Sequence, residues 1–411
     1  MKKFFLKAGA LLIVWAAAPA VAAPLSLEQV LLLAEKNSPA LKLAASRSDG
    51  ARAALDTARA YPNPDIEFGA GKSRLYPVST PGGRNTLLAF SQPVELPGLR
   101  EAKRRGAEAG MAAGDALLED ARVALYAKVR QSYLDVVRSE EEARLASENH
   151  ALLKQIRDRV KLRAEVGESP RYEFVKSEAE LLNARSIAKS AEIRVDQAKG
   201  RLRALMGVPF PESFETVSPR QLAADLPDIK KLRAELLEKQ PALRLYAAES
   251  ARAAARLDQE RNLRIPQPTL RLSAERHPDV SLWRVGLSMP LPLWDRRKGP
   301  IGEATANFER AKSEEESVRL GLLGELEQAY GRYQIAKRQL DIFEKGLLRE
   351  AEAAVKVAEA GYRFGERGIL DYLDAQRVYR NTRIDYLNAR YELQFALIDI
   401  DRLRAIPGEV K

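Results

Sequence analysis

The chain has 411 residues, of which 45% are hydrophobic and 30% charged, and its formal net charge is +10. It contains no cysteine, which excludes disulfides and thiolate metal sites, and only 2 histidines and 4 methionines, so we expect no metal site and no cofactor. The 67 basic residues are interspersed with 57 acidic ones. This pattern is typical of solvated helix faces, so nucleic acid is not an expected partner.

Residues 1–22 have the composition of a secretory signal peptide. Lys2, Lys3 and Lys7 precede an apolar stretch at 8–18, and Ala20-Val21-Ala22 offers a small-residue cleavage site. The apolar stretch is too short to span a bilayer, and no later stretch reaches the roughly 18 apolar residues of a transmembrane helix. An exported protein of this kind is periplasmic, secreted, or inserted in an outer membrane as a β-barrel.

Two segments with alternating apolar residues predict strand pairs, at about 64–92 and about 268–290. The opposite positions are polar, as at Glu67, Arg271, Ser273 and Arg284. Apolar residues on one face and polar residues on the other are typical of transmembrane β-hairpins, although a small soluble sheet gives the same pattern. The residues on the mainly apolar face are Ile66, Phe68, Ala70, Thr86, Leu88 and Phe90 in the first pair, and Leu270, Leu272, Ala274, Trp283, Val285 and Leu287 in the second.

Apolar residues spaced by seven predict long helices packed as coiled coils, in hairpins at about 100–207 and about 300–406. No proline interrupts 100–165, so a helical rod of roughly 100 Å is expected there. Parallel apolar stripes on one helix need neighbours on both sides, which favours a multi-helix barrel over a long soluble antiparallel coiled coil. The spacing is carried by Phe174, Leu181, Ala188, Val195 and Leu202 in the first half, and by Leu326, Tyr333, Leu340, Leu347 and Ala354 in the second.

Short motifs recur in the same order about 200 residues apart, which predicts two structural repeats. For example, Pro62-Asn63-Pro64 returns as Pro266-Gln267-Pro268. Each repeat would contain a helix, a strand pair and a long helical hairpin. The predicted domains are a first repeat at 23–207, a proline-rich linker at 208–228 and a second repeat at 229–411.

These features resemble the TolC family of outer-membrane efflux proteins, and within it the CzcC-like branch that serves heavy-metal pumps. The motifs that carry the resemblance are AEKNSPAL at 34–41, ARAYPNPDIEFG at 58–69, FSQPVELPGLREAKR at 90–104, GLSMPLPLWDRRKGPIGEA at 286–304 and AGYRFGERGILDYLDAQR at 360–377.

The resemblance implies an α+β membrane protein that forms a homotrimer. Each protomer would give four strands to a shared 12-stranded outer-membrane β-barrel, which continues as a periplasmic α-helical coiled-coil barrel. Four strands cannot close a barrel by themselves, so self-association in lipid also follows from the need to pair every strand edge. The implied partners are outer-membrane lipid, a periplasmic membrane-fusion adaptor and an inner-membrane pump of the RND type.

The turns between the long helices are the predicted gate. Val166-Gly167-Glu168 and Phe364-Gly365-Glu366 occupy equivalent positions in the two halves, and glycine permits a tight reversal between antiparallel helices. By resemblance, these six residues also contact the hairpin tips of the adaptor.

Asp371 and Asp374 lie three residues apart and therefore share a helix face. If that face points inward, several protomers place an acidic ring at the entrance, which attracts cations; an ordinary exposed acidic face is the alternative. By resemblance, both positions match the family's acidic ring, Tyr362 and Arg367 match its gate-locking residues, and Glu173 matches their acidic partner. A contact of Glu173 with Arg367 or Tyr362 would then hold the gate shut.

The sequence therefore predicts a passive outer-membrane exit duct of a tripartite efflux system rather than an enzyme. A duct needs a lumen and a gate but no catalytic group, and the sequence has no recognisable catalytic triad or phosphate-binding loop. The resemblance favours heavy-metal cations as cargo. The alternatives are a duct for drug efflux or type I protein secretion, a periplasmic structural coiled-coil protein and, more remotely, a hydrolase on a helical scaffold.

Overall fold

The computed structural model describes residues 25–73, 82–207, 214–217 and 226–406. The predicted signal peptide and most of the proline-rich linker lie outside these residues. The described chain is mostly helical, with a small antiparallel sheet. The helices are α1 (Leu27–Asn37), α2 (Pro39–Arg59), α3 (Pro97–Glu165), α4 (Arg171–Met206), α5 (Ile229–Lys239), α6 (Pro241–Asn262), α7 (Lys298–Ile342), α8 (Leu348–Arg363) and α9 (Ile369–Leu403), and the strands are β1 (Asp65–Ser73), β2 (Gly83–Pro93), β3 (Thr269–Arg276) and β4 (Ser281–Ser288).

A proline divides the helix that was predicted at the start of each half. Pro39 is the first residue of α2, and Pro241 is the first residue of α6. Proline disfavours helical geometry in the residue before it, and Ser38 accordingly leaves the helical region with φ −55° and ψ 119°. Proline is well tolerated in the first turn of a helix, so a second helix begins at once. The single predicted helix is therefore corrected to two in each half.

The strands form one antiparallel sheet in the order β1-β2-β3-β4, so the central pair β2–β3 joins the two halves. Phe68 lies opposite Leu88. Ala274 lies opposite Leu88 on one side and Trp283 on the other. The register thus gathers the alternating apolar residues on one face. This face is uncovered in the protomer, where Ile66 and Phe68 are each 72% exposed.

The opposite face of the sheet is polar, and charged side chains on it form ion pairs with one another. Arg271 contacts Glu67 at 2.9 Å, and Arg284 contacts Glu275 at 3.0 Å. The predicted division into an apolar and a polar face is therefore confirmed, and so is the number of four strands. Within the described ranges, the outer edges of β1 and β4 have no partner strand.

Helix α3 is the spine of the helical part and, with 69 residues, is roughly 100 Å long. It contacts α2 and α6, which lead into the strands, and α4 and α9 farther along. In the part of the chain that the structure covers, no helix has both the length and the apolar character needed to cross a membrane. The apolar core consists of separate clusters, centred on Tyr133 and Leu202, on Leu236 and Leu326, and on Ile156 and Ile369 at the far end of the hairpins.

A buried tyrosine fixes the start of the described chain to the linker. Leu25 and Thr216 form a parallel β-bridge. The Tyr133 hydroxyl lies 2.8 Å from the Leu25 carbonyl oxygen and 2.7 Å from that of Val217, and it accepts the Val217 N–H at 3.0 Å. Burial raises the pKa of Tyr133 to about 12, so the hydroxyl keeps its proton and can donate at neutral pH.

Replacing Gly207 by alanine is expected to destabilise the protein more than the same change at Gly167. Both glycines have positive φ, 66° and 80°. A β-carbon at Gly207 would also lie 2.9 Å from the Asn37 carbonyl oxygen, whereas one at Gly167 would meet nothing within 4 Å. We expect the free energy of unfolding to fall by about 1 kcal/mol for Gly167→Ala and by about 3 kcal/mol for Gly207→Ala. Denaturant melts of the purified protein measure both, and equal losses would show that the close contact with Asn37 relaxes without cost.

A π-helical segment at Phe343–Leu347 separates α7 from α8, and within it Gly346 leaves the helical region with φ 171° and ψ −30°. The predicted seven-residue stripe leaves the core of the protomer here, because Leu340 is buried whereas Leu347 and Ala354 are exposed. A π turn adds one residue to the helical repeat, which rotates the buried face by about 100°. The buried residues beyond it are Ala351, Val355, Ala358 and Gly361.

Candidate functional site

The turns that join the long helices have the same geometry and lie at the hairpin ends away from the sheet. Gly167 and Gly365 adopt left-handed conformations, with φ of 80° and 77°. In each turn the next N–H reaches back across the helix end: that of Glu168 donates to the Arg163 carbonyl and that of Glu366 to the Gly361 carbonyl, both at 2.8 Å. Such a glycine cap satisfies helix-end carbonyls and reverses the chain within a few residues.

The residues beside these glycines are exposed. Val166 is 63% and Phe364 78% exposed, and Glu168 and Glu366 are exposed as well. Each turn therefore presents an exposed apolar side chain and an exposed carboxylate on a backbone whose conformation the glycine cap fixes. Such a surface can contact another protein through apolar burial at its centre and charge at its rim.

Tyr362 packs between two residues that the sequence analysis did not single out. Its ring is stacked on that of Tyr372, with centroids 6.2 Å apart and planes inclined by 9°. The Arg163 guanidinium carbon lies 5.0 Å from the Tyr362 ring centroid. The Tyr362 hydroxyl is buried and has no hydrogen-bond partner among the described residues. Tyr362 thus links the two halves through its ring rather than through its hydroxyl.

Tyr372 is held in place from its own helix. Gln376 donates to the Tyr372 hydroxyl at 3.1 Å, and burial raises the pKa of Tyr372 although this hydrogen bond lowers it. Tyr372 therefore stays uncharged at neutral pH. The spacing of Ile369, Tyr372 and Gln376 could have placed Tyr372 on the buried face of α9. Arg163 belongs to the other half, and its contact with Tyr362 depends on how the two hairpins pack together, which spacing does not give.

Arg367 and Glu173 lie at the same tip without forming an ion pair among the described residues. The aliphatic stem of Arg367 covers Gly361, where a β-carbon would lie 3.2 Å from Arg367 Cγ and Cδ. The Glu173 carboxylate approaches the start of α9, since a β-carbon on Gly368 would lie 3.9 Å from Glu173 Oε1. A helix N-terminus favours a negative charge, so Glu173 still connects the first half to the second. Neither predicted contact of Glu173, with Arg367 or with Tyr362, is formed within the described protomer.

Asp371 and Asp374 are both exposed on the first turns of α9. Asp374 forms an ion pair with Arg377. Asp371 forms no ion pair within the described ranges. Of these two carboxylates, Asp371 is therefore the one whose negative charge is not compensated. Across these same ranges, no group of three or more His, Asp or Glu side chains is placed to hold a metal ion.

A model of the family described as "Outer membrane efflux protein" matches residues 30–208 and 232–405. The chain belongs to this family. It is 27% identical over 384 residues to the cobalt-zinc-cadmium resistance protein CzcC of Cupriavidus metallidurans, covering 93% of this chain and 90% of CzcC. It is also 27% identical over 308 residues to the nickel and cobalt resistance protein CnrC of the same organism, covering 74% of this chain and 71% of CnrC.

The fold is that of TolC-like efflux channels. The outer membrane channel CmeC of Campylobacter jejuni superimposes with a TM-score of 0.81 over 92% of this chain and 85% of CmeC, at 19% identity. At this identity the likeness establishes the fold alone. The resemblance to the TolC family and its CzcC-like branch is confirmed, and the family and fold are those of passive efflux channels.

Proposed function

We propose that the chain forms the outer-membrane exit duct of a tripartite efflux system, a homotrimer that passively conducts substrate from pump and adaptor to the exterior. One observation carries this proposal: a four-stranded sheet with an exposed apolar face lies at the end of helices as long as 69 residues. In lipid, the backbone groups at the edges of such a sheet must find partners. The sheet therefore needs further copies of itself.

Pairing of β4 with β1 of a second copy would extend the sheet. The two edge strands have similar lengths, 8 and 9 residues. Three copies of four strands give 3 × 4 = 12 strands, the number that the family resemblance implies, and a closed ring of strands has no free edge. We propose further that 23–207 and 229–411 are structural repeats joined by 208–228, and that residues 1–22 are removed on export.

In this arrangement the helical hairpins form a periplasmic barrel whose tips meet the adaptor. The exposure of Val166, Glu168, Phe364 and Glu366 supports this role for the glycine turns. We propose that the gate lies just behind them, with Asp371 and Asp374 around the entrance and with Tyr362, Arg367 and Glu173 holding the hairpins together. A contact of Glu173 with Arg367 would then have to form between protomers, and one with the Tyr362 hydroxyl would first need that buried group to be uncovered.

Heavy-metal cations are the proposed cargo. The support is the similarity over most of the chain to proteins named for cobalt, zinc, cadmium and nickel resistance. A duct does not have to bind its cargo, so the scarcity of His, Cys and Met side chains is compatible with this proposal.

Growth of a strain that lacks the gene tests the function directly. Tolerance to zinc, cobalt, cadmium, nickel, copper, silver and a panel of drugs is measured with and without the restored gene. We expect metal sensitivity that the restored wild-type gene reverses. Drug sensitivity with normal metal tolerance would support an efflux duct but contradict heavy-metal cations as its cargo. A protein that never reaches the outer membrane would contradict the proposal of an outer-membrane duct.

Neutralising Asp371 is expected to weaken cation selectivity more than neutralising Asp374. Arg377 already compensates Asp374, whereas three copies of Asp371 would add a ring of free negative charge. We expect Asp371→Asn to lower the cation-to-anion permeability ratio by about half or more at low salt, and Asp374→Asn to have a smaller effect. Reversal potentials in planar bilayers measure this ratio. An unchanged ratio in both variants would show that this face of α9 does not line the pore.

A further inference from the structure

The apolar face of the sheet ends in a cluster of cations. Lys72, Arg84 and Arg276 lie on this face at the hairpin end of β1, β2 and β3. Lys72 is directly opposite Arg84. Arg276 is opposite Thr86 and is therefore a diagonal neighbour of Arg84. Opposite β-carbons are about 5 Å apart and diagonal ones about 7 Å, so the three charges meet within the reach of long side chains.

Nothing in the described sheet neutralises this cluster. All three side chains are exposed, and within the ranges that the structure covers none of them forms an ion pair. The acidic residues of the strands lie on the opposite face, where Glu67 and Glu275 pair with arginines. Like charges directly opposite each other disfavour the sheet. An anionic ligand would remove this repulsion.

A neighbouring copy would bring at most one carboxylate, that of Asp279, to this end of the sheet. If β4 of a second protomer pairs with β1, its residues on the same face are Ser281, Trp283, Val285 and Leu287, and none of these is acidic. The described turn between β3 and β4 contains one acid, Asp279, which is exposed and forms no ion pair with the three cations among the described residues. One carboxylate does not balance three cations, so a net positive charge remains for a ligand from outside the protein.

The hairpin end of the sheet is also locally fixed. Gly83 packs so closely on Pro278 that a β-carbon there would overlap the proline ring. This contact ties the β1–β2 hairpin to the turn between β3 and β4. It holds Arg84 and Arg276 near each other before any ligand binds, which lowers the entropy cost of binding.

We propose that Lys72, Arg84 and Arg276 bind the phosphate groups of lipid A, the phosphorylated glycolipid of the outer leaflet. This inference rests on the proposed function, which places the apolar face in lipid and the hairpin end outward. Lys72 lies two residues beyond Ala70, the last apolar residue of β1 on this face, or about 7 Å along the strand. The acyl chains would then cover the apolar rows while the phosphates meet the cations. Arginine suits this role because its planar group can make two hydrogen bonds to one phosphate.

The test is binding of lipid A to the purified, detergent-solubilised protein, measured by displacement of a fluorescent lipid A. The probes are lipid A with both phosphates and its dephosphorylated form. We expect the triple variant Lys72→Gln/Arg84→Gln/Arg276→Gln to lose about tenfold or more in affinity for the phosphorylated probe. The matched control Lys42→Gln/Lys154→Gln/Lys230→Gln removes the same charge from exposed helix positions and should bind as the wild type does.

Two outcomes would overturn the site: equal binding by the triple and control variants, or equal binding of the two probes to the wild type. The charge-preserving variant Lys72→Arg/Arg84→Lys/Arg276→Lys should keep most of the affinity, which separates loss of charge from misfolding. Outer-membrane fractionation of each variant separates this inference from the proposed function. A triple variant that reaches the outer membrane as a stable oligomer and still binds lipid A refutes only the site, whereas a wild-type protein absent from the outer membrane refutes the duct.

Discussion

Replacing Val285 by arginine is expected to abolish assembly in the outer membrane. Val285 is 61% exposed on the apolar face of the sheet and lies opposite Leu272 near the middle of the strand. An arginine facing lipid near the bilayer centre costs roughly 2–4 kcal/mol, and a trimer would contain it in three copies, or roughly 6–12 kcal/mol in all. We expect the detergent-stable oligomer to disappear from the outer-membrane fraction. Gel mobility of unheated and heated membranes measures it.

Leu282→Arg is the matched control for this prediction. Leu282 lies on the same strand but on the opposite face, opposite Glu275, where the neighbouring side chains are already charged. We expect this variant to assemble at close to the wild-type level. If both variants assemble equally, the apolar face does not meet lipid, and a soluble periplasmic coiled coil becomes the better interpretation.

Replacing Tyr362 by alanine is expected to open the tip. The change removes the stack on Tyr372 and the ring under Arg163. An aromatic pair contributes roughly 0.5–1.5 kcal/mol, so three copies would shift the ratio of open to closed channels by about 10- to 2000-fold. The conductance of single channels in planar bilayers should rise. Cells should also become sensitive to an antibiotic too large for general porins.

Two controls identify what holds the tip closed. Tyr362→Phe keeps the stacked ring and removes the buried hydroxyl, which has no partner among the described residues; we expect this channel to stay closed. Tyr386→Ala removes a comparable ring contact, with Phe343 at 6.0 Å, farther from the turns, and should change conductance little. If Tyr362→Phe opens the channel as fully as Tyr362→Ala, the hydroxyl rather than the stacked ring keeps the tip closed.

The sheet and the turns could be predicted from the sequence because their determinants are local. Alternation of apolar residues fixes which side of a strand a residue faces, so the exposure of Ile66 and Phe68 on a common face followed from the pattern. The glycine turns followed from Gly167 and Gly365, since a left-handed residue at a helix end favours glycine. The pairing of β2 with β3 is different, because it joins residues from Pro93–Thr269 to Thr86–Arg276, which are far apart in the chain and which no local spacing relates.

The features that the sequence did not predict depend on contacts between distant residues or on a shift of the helical repeat by one residue. Leu347 follows Leu340 by seven residues in the sequence, but the π turn between them places Leu347 on the surface of the protomer. The packing of Arg163 on Tyr362 depends on the meeting of two hairpins. For the same reason, the sequence could group Glu173, Tyr362 and Arg367 only by resemblance, and could not give the distances among them.

The π-helical segment makes the two hairpins mechanically unequal. In the first, α3 runs unbroken for 69 residues, whereas its counterpart consists of 45 residues, a π segment of 5 and a final helix of 16. A helix with an interrupted hydrogen-bond ladder bends at the interruption, while a continuous one spreads the same bend along its length. The last 16 residues form a lever of about 24 Å, and a swing of roughly 10° about Gly346 would move its tip by about 4 Å. The two halves have the same order of helices and strands, but their helical hairpins differ in stiffness. Tyr362 and Asp371 belong to the more flexible hairpin.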